Sequence, residues 1–244
     1  MRRLSRPALP TEALDALRER GDRVTAATDP KAEAQRLWRR DVAGVMEAVE
    51  ALRAMAHIAE RCMYCEDSEG TDVEHFWPRE SYPERAFVWD NLLLACAGCN
   101  SNHKRTEFPR DAQGAPVLLD PTCDAPREHL ALSPHTGEYV SLTQRGAESV
   151  RVYGLRRRAL CLRRSSEWLA LQTMVLKYDD FVAAGRHEDA DDVRRAMLAT
   201  PHASLLVDLV ALTSLPNAHH FVRLRGCLDA LDRRPEIRAW VAAW

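Results

Sequence analysis

The sequence predicts a mostly helical α+β fold in which an irregular, cysteine-bearing section lies between two helical ends. Both ends are rich in Ala, Leu, Glu and Arg at helical spacing, whereas prolines and short apolar runs concentrate between them. Two Cys-x-x-Cys pairs bracket the middle of the chain. The composition shifts place the boundaries at 1–56, 57–154 and 155–244. With 244 residues, 46% of them hydrophobic, the chain is long enough to bury a core. A net charge of −2 gives no global basic field, so any nucleic-acid contact has to rest on local charge. No apolar run reaches the length of a signal peptide or a membrane span, so a cytoplasmic protein without membrane contact is expected. Thiols stay reduced there, and the odd count of seven cysteines also argues against a disulfide set.

In chain order, two helices are expected from Thr11 to about Ala59, the second starting at Asp29-Pro30, because proline suits the first helical position. The middle section offers short strands at Val73 to Trp77, stopped by Pro78, and in NLLLAC and APVLLD. Helix resumes at Leu155, where Leu155, Ala159, Leu162, Leu169 and Leu176 recur at three, four and seven, and continues in patterns after Asp179 and Pro201. Trp240 and Trp244, at i and i+4, read as a last packed turn or a partner contact.

Cys62, Cys65, Cys96 and Cys99 supply four soft thiolates in two knuckles, the donor set of a closed tetrahedral zinc site. A closed site has no open position, so this Zn²⁺ is structural. Gly98 is read as the flexible residue of the second knuckle. Cys123, Cys161 and Cys227 lack partners at ligand spacing and read as small buried hydrophobes. The two knuckles bracket a loop of about thirty residues that carries Glu74 and His75 at its tip. Adjacent strand residues point to opposite faces, so a division of labour fits the pair: the carboxylate on a hard metal, the imidazole as a base. The alternative is a surface Glu beside a satisfied His. Asn91, and then Asn100, His103 and Lys104 on the expected first turn of a helix, lie downstream.

CMYCE, DVEHFWP, YPE, WDNLLLAC, GCN, FP, LLDP and a later GL before an arginine-rich helix together resemble the HNH endonucleases, a ββα-metal nuclease family. The likeness spans about 57 to 165 and is strongest to the HNH nucleases of Septu and retron-associated anti-phage systems. It implies a zinc-stapled ββα-metal core with His75 as general base, Glu74 and Asn100 as ligands of one catalytic Mg²⁺ or Mn²⁺, and Asn91 holding the loop. It also implies cleavage of DNA, with RNA left open, under the control of an ABC or SMC-like ATPase encoded nearby. Glutamate stands where most of these proteins have aspartate. His103 stands where many have lysine, and is read as a third metal ligand or as a phosphate contact beside Lys104.

From Arg145 to Arg164, seven arginines face one glutamate, a local balance of +6. Arg157, Arg158 and Arg164 fall off the expected apolar stripe and, with Lys104 and Arg105, are candidate phosphate contacts. A solvated helix face is the plain alternative. Two functions compete: a metal-dependent DNase, and a catalytically silent zinc-knuckle module that binds DNA or protein. A regulatory subunit built from the helical ends is a third.

Overall fold

The computed structural model describes residues 1–39, 42–56 and 60–242. It is a mostly helical α+β fold with two small sheets and one buried cluster of four cysteines. The expected boundary after residue 56 and the expected contact of Trp244 lie outside the described residues.

Three helices, rather than two, precede the cysteine section: α1 (Thr11–Ala26), α2 (Pro30–Leu37) and α3 (Val45–Met55). The Asp29 carboxylate accepts from Ala32 N at 3.0 Å and so caps α2 ahead of Pro30. The extra helix starts where Gly44 turns the chain at φ 81°, close against α1: a Cβ there would lie 2.9 Å from Ala13 O. Glu47 then reaches back to Gly44 N at 2.6 Å.

β1 (Asp72–His75) pairs antiparallel with β2 (Leu92–Ala95), Glu74 opposite Leu93 and His75 opposite Leu92. All four residues of β2 are buried, which explains its unbroken apolar run. β3 (Leu130–Ser133) and β4 (Glu138–Ser141) form a second hairpin. APVLLD joins no named strand. Its backbone is met by side chains of α4 (Gln144–Val152) and the residue after it, Leu119 N donating to Ser149 Oγ at 2.8 Å and Tyr153 Oη to Leu119 O at 2.9 Å. The consecutive apolar residues Val117, Leu118 and Leu119 record burial, and among the described residues the pairing there is a single bridge between Arg110 and Pro116.

The long α5 (Arg158–Ala183) buries Leu160, Arg164, Trp168, Leu171, Val175 and Tyr178, a stripe displaced from the one its leucines suggest. Leu162 is 58% exposed. The displacement comes from Arg164, whose guanidinium lies 4.4 Å from the Tyr139 ring and donates to Leu155 O at 2.8 Å. Arg164 is therefore a buried tie and not a phosphate contact.

Two apolar cores result. One runs from the N-terminal helices through the cysteine section to Leu160; the other joins α5 to α6 (His187–Leu198), α7 (Ala203–Leu212), α8 (Cys227–Arg233) and α9 (Pro235–Ala242). Leu132 packs against both. Polar ties also cross between them: Ser204 donates to buried Glu66 beside the first knuckle, and Arg163 reaches Asp67 at 3.3 Å. His202 is fully buried, with Nδ1 2.6 Å from Glu167. Of the isolated cysteines Cys161 and Cys227 are buried as expected, but Cys123 is exposed. No single described helix is long and apolar enough to cross a membrane.

Trp168, buried at the head of the second core, donates through Nε1 to Phe221 O at 2.9 Å. Trp168→Ala should cost about 3–5 kcal/mol in urea unfolding and leave zinc content unchanged.

Candidate metal centre and adjoining cavity

Each Cys-x-x-Cys folds as a tight turn: Glu66 N donates to Cys62 O at 2.9 Å and Asn100 N to Cys96 O at 2.9 Å. The left-handed residue falls at Glu66, φ 61°, and not at Gly98, whose φ is ordinary and where a Cβ would make only ordinary contacts with the Cys96 sulfur and Arg157. Met63 N donates to Leu94 O at 2.9 Å and lashes the first knuckle to β2, which leads into the second. The four buried sulfurs consequently lie within 4.8 Å of one another. Cys65 and Cys96 Sγ are 3.9 Å apart, against roughly 3.8 Å for two ligands of a tetrahedral zinc with 2.3 Å Zn–S bonds. The cluster can thus hold a metal such as zinc. Arg157 donates to Cys99 Sγ at 3.4 Å and to Tyr153 O at 3.0 Å. It therefore serves the cluster, helping to balance thiolate charge, rather than presenting itself to phosphate.

β1 carries Glu74 and His75 into the interior instead of to an exposed loop tip: they are 3% and 8% exposed. With Asn100, Arg79 and Arg105 they line one cavity of about 280 Å³. Glu74 Oε1 meets the ammonium of fully buried Lys104 at 2.5 Å. Burial pushes the Glu74 carboxyl above its ordinary range, and Lys104 counters this in part. Lys104 Nζ also donates to His75 O at 3.0 Å. Lys104 is accordingly an internal counter-charge, which corrects its reading as a phosphate contact.

His75 sits edge-on to Trp38, ring centroids 4.4 Å apart, with Nε2 3.0 Å from Ala86 O. A carbonyl only accepts, so Nε2 carries the proton and Nδ1 keeps its lone pair. Burial, with the cations of Arg79 and Lys104, lowers the imidazole to about 3, so the ring is neutral. Asn91 is fully engaged: its Oδ1 accepts from Trp77 N at 2.7 Å and its Nδ2 donates to Trp77 O at 3.1 Å and Arg85 O at 3.0 Å. It pins the loop after β1 to the start of β2.

Asn100 to Lys104 form a π-helical turn, in which i and i+3 no longer share a face. Asn100 Nδ2 approaches Asp72 Oδ2 at 3.4 Å, and its side of the turn faces the cavity. His103 points elsewhere: Nδ1 donates to Gly98 O at 2.7 Å and the ring lies on Gly154, where a Cβ would come within 2.1 Å of it. Gly154, φ 61°, leaves this space, which gives the Gly-Leu motif a physical reason. His103 lines a different cavity, of about 420 Å³, with Arg151, Arg156 and Arg157, so the structure does not join it to Glu74 and Asn100. Arg105 and Arg158 are exposed.

Part of this chain has curated relatives. Residues of this chain are 33% identical, over 131 aligned positions, to the Septu protein PtuB of Bacillus mycoides (strain KBAB4), covering 41% of this chain and 44% of that protein. A Septu protein PtuB of Bacillus thuringiensis is 36% identical over 77 positions, covering 30% and 28%. The chain is related to PtuB over part of its length. It spans less than half the length of these curated relatives. No family model matches it.

Folded protein should carry one zinc per chain, and Cys96→Ser should lose both the metal and solubility, since zinc binding and folding of the knuckles are coupled. Metal analysis of purified chain checks this; a folded, zinc-free sample would remove the scaffold.

Proposed function

We propose that the chain is a zinc-stapled, metal-dependent HNH-type endonuclease of DNA in a bacterial anti-phage defence system. The observation that carries this reading is the cavity that gathers Glu74, His75 and Asn100, with a neutral imidazole whose Nδ1 is unprotonated. Relatedness to PtuB and the sequence likeness to HNH nucleases support it.

The donor set fits a hard divalent cation. Glu74 is buried and lines the same cavity as Asn100, which puts a carboxylate and an amide oxygen within one site. Mg²⁺ or Mn²⁺ held there by Glu74 and Asn100 would neutralise charge on the phosphate. The remaining roles belong to the chain. His75 Nδ1 takes the proton of the attacking water, while the Nε2–H bond to Ala86 O fixes the tautomer. Asn91 keeps the loop that carries Ala86 and Trp77 in place, and Arg79 and Arg105 supply positive charge at the rim.

A second reading, a silent zinc-knuckle binding module, is favoured by one contact: Lys104 already neutralises Glu74. His75→Gln separates the two readings, because an amide can keep a donor for Ala86 O but cannot act as a base. Plasmid cleavage should fall by roughly 10²–10⁴ at every metal concentration, with zinc content unchanged. Glu74→Gln should regain part of its activity as Mg²⁺ or Mn²⁺ is raised. Parent protein that cuts no nucleic acid at any metal concentration, with its partner present, favours the silent module.

The partner expected from the same likeness is an ABC or SMC-like ATPase. An apolar groove of about 320 Å³, lined by Leu130, Leu132, Leu212, Leu215 and Phe221, offers surface for one. Co-expression with neighbouring genes should yield a stable complex on size exclusion; a fully active, unregulated free chain that cells tolerate would refute the control.

A further inference from the structure

Three short stretches far apart in sequence, Phe76-Trp77-Pro78, Tyr82-Pro83 and Phe108-Pro109, converge on one aromatic cluster. The Trp77 ring centroid lies 4.9 Å from Tyr82 and 4.5 Å from Phe108, and Tyr82 is 5.7 Å from Phe108. All three rings are only half-buried, so they are not simply core. Two guanidiniums lie on them: Arg85 Cζ is 4.3 Å from the Trp77 ring centroid and Arg110 Cζ 5.6 Å from that of Tyr82. Both arginines are exposed, and among the described residues neither has a carboxylate partner. The nearby carboxylate of Glu107 is already engaged by Arg151.

An exposed arginine ordinarily loses much side-chain entropy when it is fixed on a ligand. Here the rings hold two guanidiniums in place beforehand, with their N–H edges left for an acceptor. The cluster also adjoins the cavity through the backbone, since Trp77 precedes Pro78 on one wall and Phe108 follows Thr106 on another. Asn91 fixes both Trp77 N and Trp77 O, so the platform and the His75 segment are held by one side chain. Acceptors spaced along a chain that passes the cavity are what phosphodiesters provide.

We propose that Arg85 and Arg110, set on the Trp77–Tyr82–Phe108 platform, are phosphate contacts for the DNA strand flanking the bond that is cut. This rests on the nuclease reading and adds to it where the substrate lies. Binding, rather than cleavage, tests it. Fluorescein-labelled duplex and single-stranded oligonucleotides are titrated with zinc-loaded, full-length chain over a range of salt, without added divalent cation. Arg85→Gln with Arg110→Gln should weaken binding at every salt concentration and make the slope of log K against log salt shallower by about 2 on duplex, or about 1.4 on single strand. Arg85→Lys with Arg110→Lys should keep most of the slope but bind less tightly, because a lysine is not held flat on a ring. Zinc content and thermal unfolding should match the parent. A slope unchanged on both probes overturns the inference, and does so alone if the parent still cuts DNA. A parent that binds neither probe overturns it as well, while the plasmid assay judges the nuclease reading separately.

Discussion

Four cysteine sulfurs within 4.8 Å of one another bring together short segments that are each weak alone. A two-stranded ladder of four residues per strand is marginal by itself. The five-residue π-helical turn is shorter still. Pulled together at the cluster, they become mutually supporting: Met63 binds β2, β2 leads to Cys96, and Cys99 opens the turn that ends in Lys104. Lys104 then returns to Glu74 and His75 on β1. A metal held there would therefore support not one turn but both β1 and the π-helical turn, which line the cavity.

The ion pair at the end of that circuit has a double character. A carboxylate and an ammonium both removed from water incur a large desolvation cost, repaid only when their pairing and hydrogen bonds are good. Lys104 is well served, with Glu74 and His75 O as partners. Glu74 is less so: even with Lys104 at 2.5 Å, burial still pushes its carboxyl up. A chain that needed only stability would be served as well by apolar residues here. Under the nuclease proposal, the shortfall on Glu74 is what a cation would make good.

Much of this was legible in the sequence because it depends on local spacing. Cys-x-x-Cys pairs, the Asp29-Pro30 helix start and the apolar run of β2 each encode their structure within a few residues. What was not legible depends on distant partners. Nothing near Lys104 in sequence shows that it is buried, because Glu74 is thirty residues away. Nothing near His103 shows that Gly154 makes room for its ring. The π-helical form of the turn, which decides that Asn100 and His103 look into different cavities, is set by how the turn packs and not by its composition.

The arginines make the same point with the opposite sign. A balance of +6 between Arg145 and Arg164 reads as a surface for phosphate, but the structure gives most of that charge internal work. Arg145 pairs with Asp124, Arg151 with Glu107 and Glu148, Arg156 binds Tyr139 O, Arg157 a cysteine sulfur, and Arg164 lies on Tyr139. An arginine's long stem buries readily, and five donors suit it to satisfying scattered carbonyls where a loop section meets a helical one. Arg85 and Arg110, whose edges are free, instead stand in the proline-rich loops, where no run of like charge marks them. Density of charge along the sequence thus locates the seam between the two cores, whereas availability of charge is decided by which carboxylates and carbonyls the fold brings within reach.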